Sequence, residues 1–315
     1  MRAVRGQEGA PVLVEVDEPP GHAGEVITMR AAGICASDLG YLAAGTTRVL
    51  GHELAGVRAD GTPVMVEGMF GCGECGYCRE GRNNLCAMST QRALGILQDG
   101  GMVERYQVPA HKLIPLPRGL DVASASLAEP ASVSWHGARM GGAGPGARVV
   151  VIGGGSVGQL AAAAATAQGA AHVALVARHP HQHAARERLG FAEPDGDLYD
   201  VVIEAAGSAS ALQSAVDRVR PGGKIAVLGV HYGGLDVPYT SMLRKEVTLV
   251  ASLGYSSFEG RREMQQAAEM LAARPEIADT LITHRFPMED AAEAFRVAAD
   301  RTVGGIKVVL DIGPA

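Results

Sequence analysis

The spacing of apolar and polar positions divides the chain into a β-rich part and a part in which strands and helices alternate. Short β-type runs separated by glycine and proline recur over the first 130 residues, at 11–16, 26–31 and 62–66. They predict a mostly antiparallel β domain. From about 132 to 255, strand and helix patterns alternate, as in a parallel sheet with covering helices. A helix is predicted again over 260–273, ended by Arg274-Pro275.

A glycine-rich turn follows a well-defined strand of the alternating part. Residues 148–152 (RVVVI) read as a fully buried strand, and the alanine-rich stretch 159–168 reads as a helix closed by Gly169. Between them stands the pattern G-x-G-x-x-G, formed by Gly153, Gly155 and Gly158 around Ser156 and Val157. With another strand at 172–177, this order predicts a dinucleotide site, because the glycines let the backbone approach a pyrophosphate at the helix N-terminus.

The composition favours a globular protein of about two domains. Of the 315 residues, 47% are hydrophobic, and no run of 18 apolar residues predicts a membrane span. The net charge of −6 and the 4% of aromatic residues argue against nucleic acid as a partner.

Four of the five cysteines lie in one short segment. They are spaced C-x2-C-x2-C-x7-C, as Cys72, Cys75, Cys78 and Cys86. A disulfide framework is typical of small secreted chains, not of 315 residues without a signal peptide. Four close thiolates instead satisfy a structural Zn²⁺, whose tetrahedral site is closed. Reduced thiolates and the lack of a targeting segment predict a cytoplasmic protein.

The fifth cysteine, Cys35, is followed downstream by Gly51-His52-Glu53. Cys35, His52 and an oxygen ligand would form a three-ligand site with a vacant fourth position, as catalytic zinc requires. The sequence therefore predicts two zinc ions per chain, one in a closed site and one in an open site.

These two zinc patterns and the glycine turn, in this order, resemble the zinc-containing medium-chain alcohol dehydrogenases, in particular the sorbitol/threonine dehydrogenase-like branch. The resemblance covers almost the whole chain and is carried by the segments 31–38, 51–53, 72–86, 128–130, 200–207, 220–224 and 281–286. It implies an α/β fold with a Rossmann-like parallel sheet at 131–256. It also implies a mostly β, GroES-like catalytic domain with a structural zinc lobe, built from 1–130 and 257–315.

The resemblance also implies roles for residues around the open zinc site. Glu53 and Glu129 both match carboxylates that relatives place at the metal, so either could be the third ligand. Asp38 matches the carboxylate that holds the histidine ring, and Ser37 matches the hydroxyl that accepts the alcohol proton. Many relatives continue this relay to a histidine where the chain has Gly40, which leaves the path of the proton beyond Ser37 open.

Two tyrosines, Tyr41 and Tyr255, match aromatic residues that line the substrate pocket of polyol dehydrogenases. Relatives that act on sorbitol carry an arginine immediately before the second tyrosine. This chain has Gly254 there, which argues against a sugar polyol as substrate.

The end of the second strand specifies the cofactor in this family. NAD-preferring relatives have an aspartate there, which binds the ribose hydroxyls and repels a 2′-phosphate. Here that position is Ala177, followed by Arg178 and His179. A guanidinium suits a phosphate, and the Ala-Arg pair resembles that of NADP-preferring ketose reductases, so NADP(H) is expected over NAD(H). The alternating histidines at 179–183 are expected in a solvated loop rather than at a metal.

One departure from the relatives concerns the parallel sheet. Relatives place a strand and a helix between the equivalents of Gly190 and Asp200, but here only 191–199 bridges the gap, which is too short for both. The sheet is therefore expected to lack its third strand and to have about five strands rather than six.

The resemblance implies a zinc-dependent oxidoreductase that transfers a hydride between NADP(H) and a secondary alcohol or ketone. Two alternatives stay open: an NAD-dependent polyol or amino-alcohol dehydrogenase, and a non-catalytic nicotinamide-binding protein. Relatives join their cofactor domains edge to edge, which implies a homodimer or homotetramer formed through the strand near 247–251.

Overall fold

The computed structural model describes residues 1–17, 24–69, 71–231 and 233–313, and it divides into two compact units. The first unit consists of Met1–Glu129 and Ser256–Ala315, and the second unit is Pro130–Tyr255. The strands in the described residues are β1 Arg2–Gln7, β2 Ala10–Glu15, β3 Glu25–Gly33, β4 Glu53–Val57, β5 Pro63–Val66, β6 Arg105–Val108, β7 Leu113–Pro115, β8 Arg148–Ile152, β9 His172–Val176, β10 Tyr199–Glu204, β11 Val219–Val227, β12 Thr248–Ala251, β13 Ser257–Phe258, β14 Arg261–Arg262, β15 Ile282–Pro287 and β16 Lys307–Asp311. The α-helices are α1 Ala36–Ala43, α2 Gly76–Arg79, α3 Ala87–Gln91, α4 Ala128–Gly141, α5 Ser156–Ala167, α6 Pro180–Arg188, α7 Ala209–Arg218, α8 Tyr239–Lys245, α9 Glu263–Ala273, α10 Glu276–Leu281 and α11 Ala291–Ala299. None of these helices is both long and apolar enough to cross a lipid bilayer.

A seven-stranded sheet organises the described residues of the first unit. Its strand order is β15-β16-β3-β4-β5-β7, with β6 paired to one end of β3. Only the β15–β16 pair is parallel among these strands, and the other pairs are antiparallel. The prediction of a mostly β domain is therefore confirmed.

The burial of β3 changes along its length, and the strand is most enclosed at the end that leads to Cys35. Its first part alternates, with Ile27 and Met29 buried and Thr28 exposed, which is typical of a strand with one face in water. Its last three residues are all buried, at the point where β3 pairs with both β4 and β16. The end of β3 is thus enclosed, and Cys35 follows it two residues later.

The helix predicted over 260–273 begins later than the sequence indicated, at Glu263. Glu259 and Gly260 both have positive φ angles, of 50° and 75°, and they form a tight hairpin turn between β13 and β14. The two arginines of β14 pair with β13 and are held extended, so α9 starts only after them.

A parallel sheet forms the second unit, in the order β12-β11-β10-β8-β9. The described residues of this unit give the sheet five strands, which confirms the predicted loss of the third strand. One trace of it remains, because Ala192 makes an isolated parallel bridge to Ala174 of β9. Apolar residues of β8 and β10, including Val150 and Val202, form the core together with Leu212 of α7.

Candidate metal centres and cofactor-binding turn

The β3–β4 pairing brings Cys35, His52 and Glu53 together. Glu53 is the first residue of β4 and pairs with Gly33 at the end of β3, while Cys35 precedes α1. The thiol, an imidazole nitrogen and a carboxylate oxygen of this trio all lie within 4.8 Å of one another. A Cβ atom on Gly33 would overlap Oε2 of Glu53, so a glycine is required there for the carboxylate to fit. These donors are a thiolate, an imidazole and a carboxylate, the set that zinc prefers.

Asp38 contacts two members of this trio, Cys35 and His52. It is completely buried in α1, its Oδ2 accepts the backbone N–H of Cys35 at 2.9 Å, and its Oδ1 lies 3.4 Å from Nδ1 of His52. Burial by itself lowers the pKa of His52, but the Asp38 carboxylate and the Cys35 thiol together hold it well above its usual value. Nδ1 of His52 thus faces a buried carboxylate without a hydrogen bond to it, and the other ring nitrogen is left for a metal.

A buried lysine that sequence reasoning missed, Lys307, contacts the carboxylate of the trio. Its Nζ donates to Oε1 and Oε2 of Glu53, at 2.6 and 2.8 Å, and to the carbonyl oxygen of Ile34 at 3.1 Å. Burial alone would lower the pKa of Lys307, yet the adjacent Glu53 carboxylate raises it. The signal in the sequence was a lysine in the otherwise apolar strand Lys307-Val308-Val309-Leu310, because a buried lysine needs a buried acid.

Glu129, the other candidate carboxylate, lies in the first turn of α4 and is also buried. Burial, together with the nearby Glu53 and Asp38 carboxylates, raises its pKa to about 7 against the opposite effect of His52. Within the described residues, the group with mutual donor distances below 4.8 Å contains Glu53 and does not contain Glu129. The geometry therefore favours Glu53 as the carboxylate nearer to the thiol and imidazole.

The four clustered cysteines form a second group of donors within 4.8 Å of one another. The Sγ atoms of Cys72 and Cys78 lie 4.0 Å apart, close to the roughly 3.8 Å expected between thiolates that bind one tetrahedral zinc. Backbone N–H groups of Glu74 and Cys75 donate to Sγ of Cys72, at 3.4 and 3.3 Å.

The pKa values of these thiols are shifted in opposite directions by their surroundings. The N–H of Cys72 donates to Sγ of Cys86 at 3.3 Å, and such backbone N–H donors lower the pKa of Cys86 to about 6. Burial instead raises the pKa of Cys78 to about 11. A cluster of four thiols with hydrogen bonds to sulfur fits a closed zinc site, because thiolates are the species that bind zinc.

The glycine-rich turn joins β8 to α5 as predicted. Gly153 has a φ angle of +121°, and a Cβ atom on Gly158 would overlap the carbonyl oxygen of Gly153. Gly155 is the N-cap residue of α5, so the free backbone N–H groups at the start of this helix follow the turn directly. Gly153 and Gly158 are thus required by the local geometry, independently of any ligand.

The segment after β9 contains Ala177, Arg178 and His179, the residues predicted to select the cofactor. Arg178 is exposed, and His179 is the N-cap residue of α6. The expectation of a solvated loop over 179–183 is wrong. Pro180 occupies the first position of α6, where its missing N–H costs nothing, so the later histidines lie in the helix. No histidine from this segment belongs to a metal-ligand group among the described residues.

Two glutamines that the sequence did not single out connect the glycine-rich turn with the turn after β9. Gln182 accepts hydrogen bonds from the backbone of the turn after β9, and Gln159 of α5 donates to the carbonyl oxygen of Gln182. A glutamine three residues after the N-cap residue was the available signal.

The predicted proton acceptor and substrate residues lie in α1 and in the segment between β12 and β13. Ser37 and Tyr41 lie in α1 next to Asp38 and are half-buried. Tyr255 is buried, with 3% of its surface exposed, at the C-terminal end of the second unit.

Comparisons with known families match both parts of the chain. The sequence model of the alcohol dehydrogenase GroES-like domain matches residues 22–118. The model of the glucose dehydrogenase C-terminus matches residues 124–312, more than half of the chain.

Individual relatives are similar over most of their length. Sorbitol dehydrogenase of Bacillus subtilis (strain 168) is 31% identical over 87% of this chain and 86% of its own. L-galactonate-5-dehydrogenase of Escherichia coli (strain K12) is 29% identical over 88% of each chain. A protein of Sinorhizobium meliloti 1021, named as a zinc-binding dehydrogenase and solved bound to NADP, is 26% identical over 98% of each chain, with a TM-score of 0.83.

Proposed function

Because the chain belongs to the zinc-type alcohol dehydrogenase family, and is thus an oxidoreductase, we propose that it transfers a hydride between NADP(H) and a secondary alcohol or ketone. The observation that carries this proposal is the trio Cys35, His52 and Glu53, whose donor atoms lie within 4.8 Å of one another in front of the buried Asp38. The full set of donors argues against the non-catalytic alternative.

The residues of the trio would hold the catalytic zinc, and the four cysteines would hold the structural one. A bound catalytic zinc supplies a Lewis acid for the oxygen of the alcohol or ketone. Asp38 holds the His52 ring in the orientation that binding requires, and Lys307 neutralises Glu53. Ser37, two residues after Cys35 in α1, takes the proton of the substrate hydroxyl during oxidation and returns it during reduction.

The preference for NADP(H) rests on the segment after β9. Ala177 leaves no carboxylate that would repel a 2′-phosphate, and the exposed guanidinium of Arg178 can form charge-assisted hydrogen bonds with one. The NADP bound to the similar Sinorhizobium meliloti 1021 protein supports this choice of cofactor.

A second candidate function is a polyol or sugar-acid dehydrogenase. It is favoured by the names of two relatives, sorbitol dehydrogenase and L-galactonate-5-dehydrogenase. Gly254 counts against it, because sorbitol-specific relatives carry an arginine at that position. Turnover on matched panels of secondary alcohols, ketones, polyols and sugar acids, each with NADPH or NADP⁺, would separate the two candidates.

The chain offers a surface for a second copy of itself. β12 is an edge strand of the parallel sheet, and exposed apolar side chains stand in the segment that surrounds it. These features support a homodimer or homotetramer. None of the five cysteines is joined in a disulfide, which supports the expectation of a reducing compartment such as the cytoplasm.

The decisive experiment removes a zinc ligand and measures turnover and cofactor binding separately. Cys35→Ala and His52→Ala should each abolish turnover on the best substrate, while the Kd for NADPH stays unchanged, because the glycine turn belongs to the second unit. His111→Ala, an exposed histidine of the first unit, is the matched control and should keep full turnover. Near-wild-type turnover of either ligand variant would rule out hydride transfer at a zinc held by these residues.

A further inference from the structure

One side chain, that of Gln182, links the turn after β9 to the helix that follows it. Its Oε1 accepts the backbone N–H of Arg178 at 3.1 Å and that of His179 at 3.3 Å. These are the second and third residues after β9, and His179 is also the N-cap residue of α6. A single amide oxygen therefore fixes the main chain from which the Arg178 side chain projects.

The same glutamine also packs on the glycine-rich turn. A Cβ atom on Gly154 would lie 2.8 Å from both Cβ and Oε1 of Gln182, and 3.0 Å from Cβ of Ala177. Such distances are too short for any side chain, so the second of three consecutive glycines is needed because Gln182 lies against it. The G-x-G-x-x-G pattern alone does not demand a glycine at this position.

A fully buried glutamine, Gln159, completes the connection. Its Nε2 donates to the carbonyl oxygen of Gln182 at 3.0 Å and to that of Gly154 at 3.4 Å. The turn that would hold the pyrophosphate and the turn that would hold the adenosine ribose are thus joined through two glutamine side chains. Their relative position is set by these hydrogen bonds rather than by the sheet alone.

We propose that Gln182 is the positioning residue for Arg178, holding it against the glycine-rich turn where its guanidinium binds the 2′-phosphate of NADP(H). This inference rests on the proposed cofactor preference. The backbone N–H groups of Arg178 and His179 already donate to Gln182, so they are not free to donate to the phosphate. Recognition of the 2′-phosphate then depends on side-chain charge at this turn.

Two substitutions of Gln182 distinguish the loss of its hydrogen bonds from a change in the charge beside Arg178. Gln182→Met keeps the length of the side chain but leaves both backbone N–H groups without their acceptor. It should weaken NADPH binding about tenfold, the size expected from two lost hydrogen bonds, with a smaller effect on NADH. Gln182→Glu keeps an acceptor for both N–H groups and adds a negative charge beside Arg178. It should leave the Kd for NADH within about twofold of wild type and weaken NADPH about tenfold.

The test measures Kd for NADPH and NADH by titration of the zinc-loaded protein, with a melting temperature for every variant. Gln213→Met, an exposed glutamine of α7, is the control and should match wild type. If Gln182→Met and Gln182→Glu both keep the wild-type ratio of NADPH to NADH affinity, or weaken both cofactors equally, the positioning role is refuted.

The variant Arg178→Ala separates this outcome from failure of the proposed cofactor preference. If the wild type prefers NADPH and Arg178→Ala removes the preference, the proposed preference holds, and the two Gln182 variants alone decide the inference. If the wild type binds NADH as tightly as NADPH, the proposed preference itself is wrong and the inference falls with it.

Discussion

A buried lysine, Lys307, pairs with the carboxylate beside Cys35 and His52. Glu53 and Lys307 are both almost completely enclosed, and burying either charge alone would cost several kcal/mol. The cost is offset only because Lys307 donates to both carboxylate oxygens and to the carbonyl of Ile34. The pair therefore compensates the charge of the carboxylate next to the thiol and imidazole.

A variant that lacks Lys307 tests how much the stability of the protein depends on this ion pair. We expect Lys307→Met to lower the free energy of unfolding by about 3–5 kcal/mol, because Glu53 is left as a buried, unpaired charge. The double variant Lys307→Met/Glu53→Gln should recover most of that loss. Urea denaturation of the proteins freed of the exchangeable zinc measures both, because a zinc held by Cys35, His52 and Glu53 would itself compensate the Glu53 charge. Lys224→Met, an exposed lysine of β11, is the control and should change stability by less than about 0.5 kcal/mol. A loss in Lys307→Met no larger than in the control would contradict the assigned pairing.

At the scale of elements, the strands, turns and helices that could be predicted are those whose formation depends on residues close together in the sequence. β8, the glycine turn and α5 were predicted because burial, glycine geometry and helix propensity all act within about 20 residues. The missing strand was predictable because a bridge of nine residues cannot hold a strand and a helix. The contact between Lys307 and Glu53 could not be predicted, since 254 residues separate them and only the pairing of β16 with β3 brings them together.

The short bridge that replaces the missing strand is held by side chains. The Arg148 guanidinium forms an ion pair with Asp195 at 2.6 Å and lies over the ring of Tyr199. The Tyr199 hydroxyl in turn donates to Asp195 at 3.0 Å. Together with the isolated bridge between Ala192 and Ala174 of β9, these contacts hold the nine-residue bridge against the sheet without a further strand.

The four-cysteine lobe, with its short helices α2 and α3, should depend on its metal. We expect about two zinc ions per chain, and Cys86→Ser should retain only one. It should also lower the melting temperature, because a closed site contributes folding free energy. Cys35→Ser should lose the other zinc with a much smaller change in melting temperature. Metal analysis of protein purified without chelator, together with thermal melts, measures both. A Cys86→Ser protein that keeps two zinc ions and the wild-type melting temperature would contradict the closed site.

At the scale of the whole molecule, the two edges of the parallel sheet have different surroundings. β9 is one edge, and it leads into the turn at Ala177 that is proposed to select the cofactor. β12 is the opposite edge and has unpaired backbone groups on its outer side in the described chain. Large apolar side chains in the segments before and after β12 in the chain are strongly exposed: Val230 (59%), Tyr239 (65%), Leu243 (60%) and Leu253 (67%). Apolar exposure of this kind beside an open strand edge is typical of a surface that binds a partner.

Pairing of two copies along β12 is the arrangement that these surroundings favour, because a two-fold contact lets each edge strand cover the other. We expect the wild type to be a dimer or tetramer at micromolar concentration. The double variant Leu243→Lys/Leu253→Lys should be monomeric, since it would place four lysines in a two-fold contact. Light scattering coupled to size exclusion measures the mass.

Leu198→Lys, an exposed leucine of the bridge beside β9, is the matched control and should keep the wild-type mass. The monomeric variant should still bind NADPH with the wild-type Kd, because Arg178 and Gln182 follow the opposite edge strand. A monomeric wild type, or an oligomer that survives both lysines, would mean that this edge is not the interface.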